Sequence, residues 1–171
     1  LGGWSPISSN TYLGVARSMW NWATLRGYNL LGVGTNLKYY IESGGTYNDI
    51  TPIRDTNVLT NPFDTTSGST TVTVTDAGHG AIAGDFVTFS GASAVGGLTI
   101  NGEYEIVTAT TNTYTITAAS AATSTATGGG TVTAVYQINV GAPIYGFQTG
   151  WGAGLWAALY LAQRRLLCQP A

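Results

Sequence analysis

The residues whose types and spacing could do chemistry are few in this 171-residue chain. His79, the single histidine, sits between Gly78 and Gly80, with Asp76 and Asp85 close by in sequence. A Ser-His-acid triad would also need an activated nucleophile, and no G-x-S-x-G elbow is present, so His79 reads as a turn residue. Glu103 and Glu105 alternate along one strand pattern and share a side, as an acid/base pair acting on a glycosidic bond would. Two solvent-facing carboxylates on a barrel strand account for them equally well. Asp49, Asp55 and Asp64 lack the D-x-D-x-D-G spacing of a calcium loop. Gly32-Val33-Gly34-Thr35 lacks the Gly-Lys-Ser/Thr that completes a phosphate-binding loop. Cys168, the single cysteine, excludes an internal disulfide and a multi-cysteine metal site. The expectation is a chain with no catalytic residue, no metal ligand and no cofactor, and not an enzyme.

The aromatic residues carry more. Trp4, Trp20, Trp22, Trp151 and Trp156, together with ten tyrosines, cluster toward the two ends of the chain. Large aromatics can stack sugars, but they also supply much of the binding energy at subunit contacts. Trp4, Trp20, Trp22, Tyr39, Trp151 and Trp156 are therefore the candidate interface residues.

Charge points the same way. Only 8% of residues are charged, which makes a poor surface for a free monomer. Between Arg54 and Arg164 there is no Lys or Arg, while Asp55, Asp64, Asp76, Asp85, Glu103 and Glu105 are present. Nucleic-acid binding draws affinity from basic side chains that displace counterions at phosphates. This stretch cannot grip DNA or RNA by charge and would act beside it as a non-sticking wall.

The elements that must position these residues are strands. Glycine, threonine, valine and tyrosine abound, and good helix formers are scarce. In residues 1–60, Ser18–Ala23, Leu30–Val33, Leu37–Glu42 and Tyr47–Ile50 read as four strands joined by short turns, with Ser43-Gly44-Gly45 the tightest. Such a meander is the unit of a propeller blade. In residues 61–140 the alternating runs are Thr70–Thr75, Phe86–Phe89, Tyr104–Val107, Thr113–Ile116 and Thr131–Val140. Asn101-Gly102 is the best hairpin signal there. Residues 118–130, AASAATSTATGGG, read as an exposed loop. About six strands suit a closed barrel or sandwich, since closure removes unpaired edges. Residues 141–171 form a Gly/Trp-rich return segment, then a short helical pattern over Leu155–Leu167. Val140–Gln163 is uncharged, but only LWAALYLA within it is compactly apolar, too short for a membrane span. The expected fold is all-β: propeller-blade-like antiparallel strands flanking an inserted small β-barrel or sandwich, with a short C-terminal helix.

Ordered motifs add a family resemblance. GTNLKYYIESGGTYNDITPIR (34–54), NPF (61–63), GSTTVTVTDAGHG (68–80), GDFVTFSGA (84–92), NGEYEIV (101–107) and TYTI (113–116) together resemble structural proteins of tailed bacteriophages, of the tail tube or nozzle type. The second half of the series is similar to a small β-barrel inserted into a propeller-type body. It also resembles the first catalytic-cysteine half-domain of ubiquitin-activating enzymes, but no cysteine lies in the matching region. The phage resemblance implies a structural component of the virion tail that assembles with copies of itself and with other virion structural proteins. DNA would pass it with only passive contact. A receptor- or glycan-binding module of a head fibre or tail tip is the alternative. The chain holds roughly one and a half blades where a propeller uses four or more, so either it is a fragment or it is a short relative whose neighbours come from other copies.

Overall fold

In the computed structural model, residues 10–141 are described, and every regular element among them is a β-strand, thirteen in all. None of the described residues forms a helix long and apolar enough to cross a membrane. The expected C-terminal helix lies outside the described residues.

The first four strands, β1 (Ala16–Ala23), β2 (Asn29–Thr35), β3 (Tyr39–Ser43) and β4 (Thr46–Asp49), form an antiparallel meander in the order β1-β2-β3-β4. Its tightest turn is the two-residue Gly44-Gly45, with φ of 59° and 87° between the paired Ser43 and Thr46. Two positive φ angles make a hairpin turn whose twist matches that of the strands, and glycine adopts them without strain. Residues paired across strands share a face. The registers therefore place Trp20, Trp22, Gly32, Gly34, Tyr39 and Ile41 on one face and Met19, Leu31, Val33 and Tyr40 on the other. On the second face Val33 and Tyr40 are buried, and Tyr12 packs its ring against those of Tyr40 and Tyr47.

The remaining strands are β5 (Ile53–Thr60), β6 (Phe63–Thr65), β7 (Thr71–Thr75), β8 (Phe86–Ser90), β9 (Gly102–Glu105), β10 (Thr108–Ala109), β11 (Thr113–Thr117), β12 (Ala126–Gly128) and β13 (Thr131–Gln137). They make two sheets, β10-β11-β7-β6-β12 and β5-β13-β8-β9. Three pairs of these strands are successive stretches of one bent strand: β5 with β6, β9 with β10, and β12 with β13. Following hydrogen-bonded neighbours from β5 through β13, β8, β9/β10, β11 and β7 leads back to β6. The ring closes, so this half has no open sheet edge to defend.

The bend from one sheet to the other is built at Asn61, whose φ is 47°. Its backbone N–H donates to the Gly130 carbonyl at 2.8 Å, and its side-chain oxygen accepts from the Gly130 N–H at 3.0 Å. Opposite it, a Cβ at Gly129 would lie 2.5 Å from the Phe63 ring, so the corner needs glycine there. Inside the ring, period-two alternation turns Val72 and Val74, Val87 and Phe89, and Val132, Ala134 and Tyr136 inward. Each fully buried Val, Ile or Phe side chain contributes about 1.5–3 kcal/mol.

The all-β class and nine of the strands follow the sequence pattern. Three details differ. Asn101-Gly102 is not a two-residue hairpin turn: β8 and β9 are joined by a long loop, and Gly102 opens β9 opposite Phe89. Residues 118–130 are not simply an exposed loop. They contain β12, paired with β6, and bury Ala118 and Ala122. Finally, Ile53–Thr60, which the sequence pattern groups with the blade-like strands, pairs with β13 in the barrel.

Candidate functional site

The open sheet carries the most exposed aromatic surface among the described residues. Trp20 is 75% exposed, Tyr39 47% and Trp22 36%. All three lie on the face that also holds Gly32 and Gly34, and there the absence of side chains on β2 leaves a groove of about 220 Å³. Its walls are Trp20 and Trp22 from β1 and Tyr39 and Ile41 from β3, with Ile50 at one end. The glycines do more than leave space. A Cβ at Gly32 would stand 3.3 Å from the Trp22 ring, and one at Gly34 3.5 Å from the Tyr39 ring. Neither glycine has a positive φ, so at Gly32 it is room beside the Trp22 ring, not backbone conformation, that favours glycine, whereas a Cβ at Gly34 would make only an ordinary contact and fill part of the groove floor. The groove is largely apolar and suits an apolar side chain or a ring face.

A second feature joins this sheet to the barrel. Lys38, in the β2–β3 turn, is 2% exposed, and its ammonium lies 2.6 Å from Asp49 Oδ2 and 2.6 Å from Glu103 Oε1. It also stands 4.7 Å from the centre of the Phe86 ring. Burial alone would lower the Lys38 ammonium, but hydrogen bonds to Asp49 and Glu103 outweigh it and hold the group above its ordinary value. Burial would likewise raise the Asp49 carboxyl, yet hydrogen bonds from Lys38 and Thr51 hold it below the usual carboxylate range.

The third feature is a polar chain inside the barrel. The Tyr136 hydroxyl donates to Asp76 Oδ2 at 2.6 Å, so its oxygen accepts from the Tyr114 hydroxyl at 2.8 Å. Asn57 donates to the same Asp76 oxygen at 2.9 Å. Burial above all, reinforced by the Asp76 charge, pushes both phenols far up, and they act as hydrogen-bond donors. His79 is 1% exposed, its ring packed 4.9 Å from that of Tyr114, and its Nδ1 accepts from the Ala81 N–H at 3.0 Å. Arg54 donates to the His79 carbonyl at 2.9 Å.

The structure thus separates the sequence candidates. His79 and Asp76 lie in the barrel interior, whereas Asp85 fixes a loop by accepting from the Ile82 and Val140 N–H groups and from Asn139. Glu103 and Glu105 are both exposed, but Glu103 is held by Lys38 and Glu105 has no such ion pair among the described residues, so the two are not equivalent. Asp64 accepts from Thr127, and Asp49 pairs with Lys38, so Asp49, Asp55 and Asp64 do not converge. Among the described residues no group of three or more His, Cys, Asp or Glu could hold a metal ion. Of the candidate interface residues, Trp20, Trp22 and Tyr39 meet in one groove, and Trp4, Trp151 and Trp156 lie outside the described residues. Sequence reasoning passed over Lys38 and the role of Gly32 and Gly34. The signal for the groove was present: glycines two apart on a strand flanked by strands bearing Trp and Tyr.

No protein-family model matches this chain, and no curated protein matches its sequence. Among solved structures it is similar to a chain named "Phage phi92 endosialidase", with 25% identity and a TM-score of 0.44, over 72% of this chain. The match spans 17% of the length of that chain. The expectation that this chain is not an enzyme is withdrawn on that finding, because the structure it matches is named for an enzymatic activity. The physical reason is general: catalytic groups are recognised by convergence in space, which a search for local motifs does not test.

Proposed function

We infer that this chain is a structural component of a tailed-phage virion, of the tail tube or nozzle type, that acts by assembling with copies of itself. The observation that carries the reading is the groove face of the four-stranded sheet, where Trp20, Trp22 and Tyr39 stand exposed around a glycine floor. Exposed aromatics set around an apolar hollow are the usual anchors of a protein contact. The ordered motifs from residue 34 to 116 supply the phage part of the reading. The barrel supplies the rest: its sequence carries no Lys or Arg after Arg54, and Arg54 itself is engaged with His79 and the Tyr136 ring. A wall of that kind lets DNA pass without counterion-release affinity.

The test is the oligomeric state of the purified full chain by size exclusion with light scattering. A discrete oligomer is expected, together with its dissociation on Trp20→Ala/Tyr39→Ala without loss of the β-sheet circular dichroism signal. A monomer at every concentration up to about 100 µM, far above the micromolar range of weak specific interfaces, overturns the reading.

The same groove favours one alternative, a glycan-binding module, since Trp20 and Tyr39 offer ring faces to a sugar. Its sparse polar lining speaks for an apolar occupant. Hits on a glycan array that disappear with Trp20→Ala would reverse that preference.

A further inference from the structure

The sheet that carries the groove also has two edges, and they are defended differently. β4 is four residues long and ends at Asp49, which is ion-paired with Lys38. β1 is eight residues long and exposed along its whole length after Ala16. From Ser18 to Leu25 it and its turn carry no charge and no proline. Its only irregularity is a bulge between Ala16 and Ser18, at its start. Proteins that stay monomeric protect such edges with Lys, Pro, mid-strand bulges or very short strands. Among the described residues, the backbone of Ser18–Ala23 bonds only to β2, so its outer side presents unpaired N–H and C=O groups.

We propose that β1 is a strand-addition edge whose occupant is β1 of a second copy, paired antiparallel about a two-fold axis at Asn21. This rests on the self-assembly reading and specifies its contact. Three observations select a second copy. Antiparallel pairing about Asn21 sets Trp20 opposite Trp22 and Met19 opposite Ala23 of the other copy, so aromatic meets aromatic on the groove face, and such cross-strand pairs stabilise a sheet. Between Ser18 and Thr24 no charge is set against a charge. The groove adjoins this edge, because Trp20 and Trp22 are both strand residues of β1 and walls of the groove, so the two grooves lie side by side across the axis. Backbone bonds give the pairing its geometry, and the tryptophans and Met19 add the apolar area that a strand pair by itself lacks.

The experiment is a cross-linking and assembly assay on the full chain. In a Cys168→Ser background, Asn21→Cys places one thiol at the axis. Opposed residues in an antiparallel pair have Cα atoms roughly 4.5–5.5 Å apart, within disulfide reach. Mild oxidation is expected to give a disulfide-linked dimer with Asn21→Cys and none with Ala94→Cys, an exposed barrel position. Met19→Lys/Asn21→Lys, which charges the edge, is expected to weaken assembly at least about ten-fold while leaving barrel melting unchanged. Assembly that persists unchanged in the double-lysine variant, or an Asn21→Cys chain that assembles but does not cross-link, overturns the β1 contact alone and leaves self-assembly standing. A chain that never assembles overturns both.

Discussion

The barrel and the four-stranded sheet are both built from short antiparallel strands joined in sequence, yet they end in opposite states. In the barrel, Val72, Val74, Val87, Val132 and Tyr136 are fully buried and the strands close into a ring. In the open sheet Met19, Trp20 and Tyr28 are each at least 65% exposed, and β1 ends the sheet without a neighbour among the described residues. The difference is closure. A ring of bent strands satisfies both edges and one whole face from within, whereas the four-stranded meander buries Val33 and Tyr40 on one face and, among the described residues, leaves an edge and the opposite face of Trp20, Trp22 and Tyr39 exposed. Stability should therefore reside in the barrel, and association in the sheet.

The sharpest way to break that comparison is Phe89→Ala. Phe89 is 1% exposed and packs its ring edge-on to Phe63 at 5.1 Å. Its truncation should cost about 3–5 kcal/mol, measured by denaturant unfolding. A loss below about 1 kcal/mol would mean that the barrel core does not hold the fold. Next in size is Lys38→Met, which strands Asp49 and Glu103 at the junction of the two regions. Removing one partner of a buried pair costs about 3–5 kcal/mol, but both carboxylates are about a third exposed, so about 2 kcal/mol is expected. A neutral result would show that the junction is not held by this triad.

The pH dependence of the same triad should be smaller. The Asp49 carboxyl is lowered on folding, so its contribution is present above the ordinary value of 3.8 and fades as pH falls through the lower folded value. The Lys38 ammonium is raised, so its contribution is complete below 10.5 and fades as pH rises through the higher folded value. The difference in stability between wild type and Lys38→Met should thus be flat between those limits and shrink outside them. A difference that instead changes midway would point to another titrating partner. The smallest effect on stability belongs to Trp20→Ala, within about 0.5 kcal/mol, because Trp20 is an exposed surface residue. Its effect on assembly should be large. If Trp20→Ala destabilises the monomer by as much as a core change, the division of labour between the two regions is wrong.

How much of this was legible differs by region and by the distance over which partners are found. The four strands of the meander could be read directly, since consecutive strands pair across short turns, two of the three bearing glycine. β5 was harder. Ile53–Thr60 carries Arg54, Asp55 and Asn57, and its pattern of exposure is not a clean alternation. Its strand state comes from pairing with β13, more than seventy residues later in sequence. β12 was illegible for a related reason: Ala126–Gly128 sets Thr127 between two poor strand formers, and it is extended because β6 and the corner at Asn61 hold it so.

The sequence by itself determined the all-β class, the alternation that builds the barrel core and the aromatic set from which the groove is drawn. These follow from local pattern, where period two and turn chemistry act within a few residues. Only the tertiary structure decided that the ring closes, that Lys38 is buried between Asp49 and Glu103, and that Gly32 and Gly34 form the floor between Trp20, Trp22 and Tyr39. Each of these depends on cross-strand register, and a shift of one residue would have turned every side chain concerned to the opposite face.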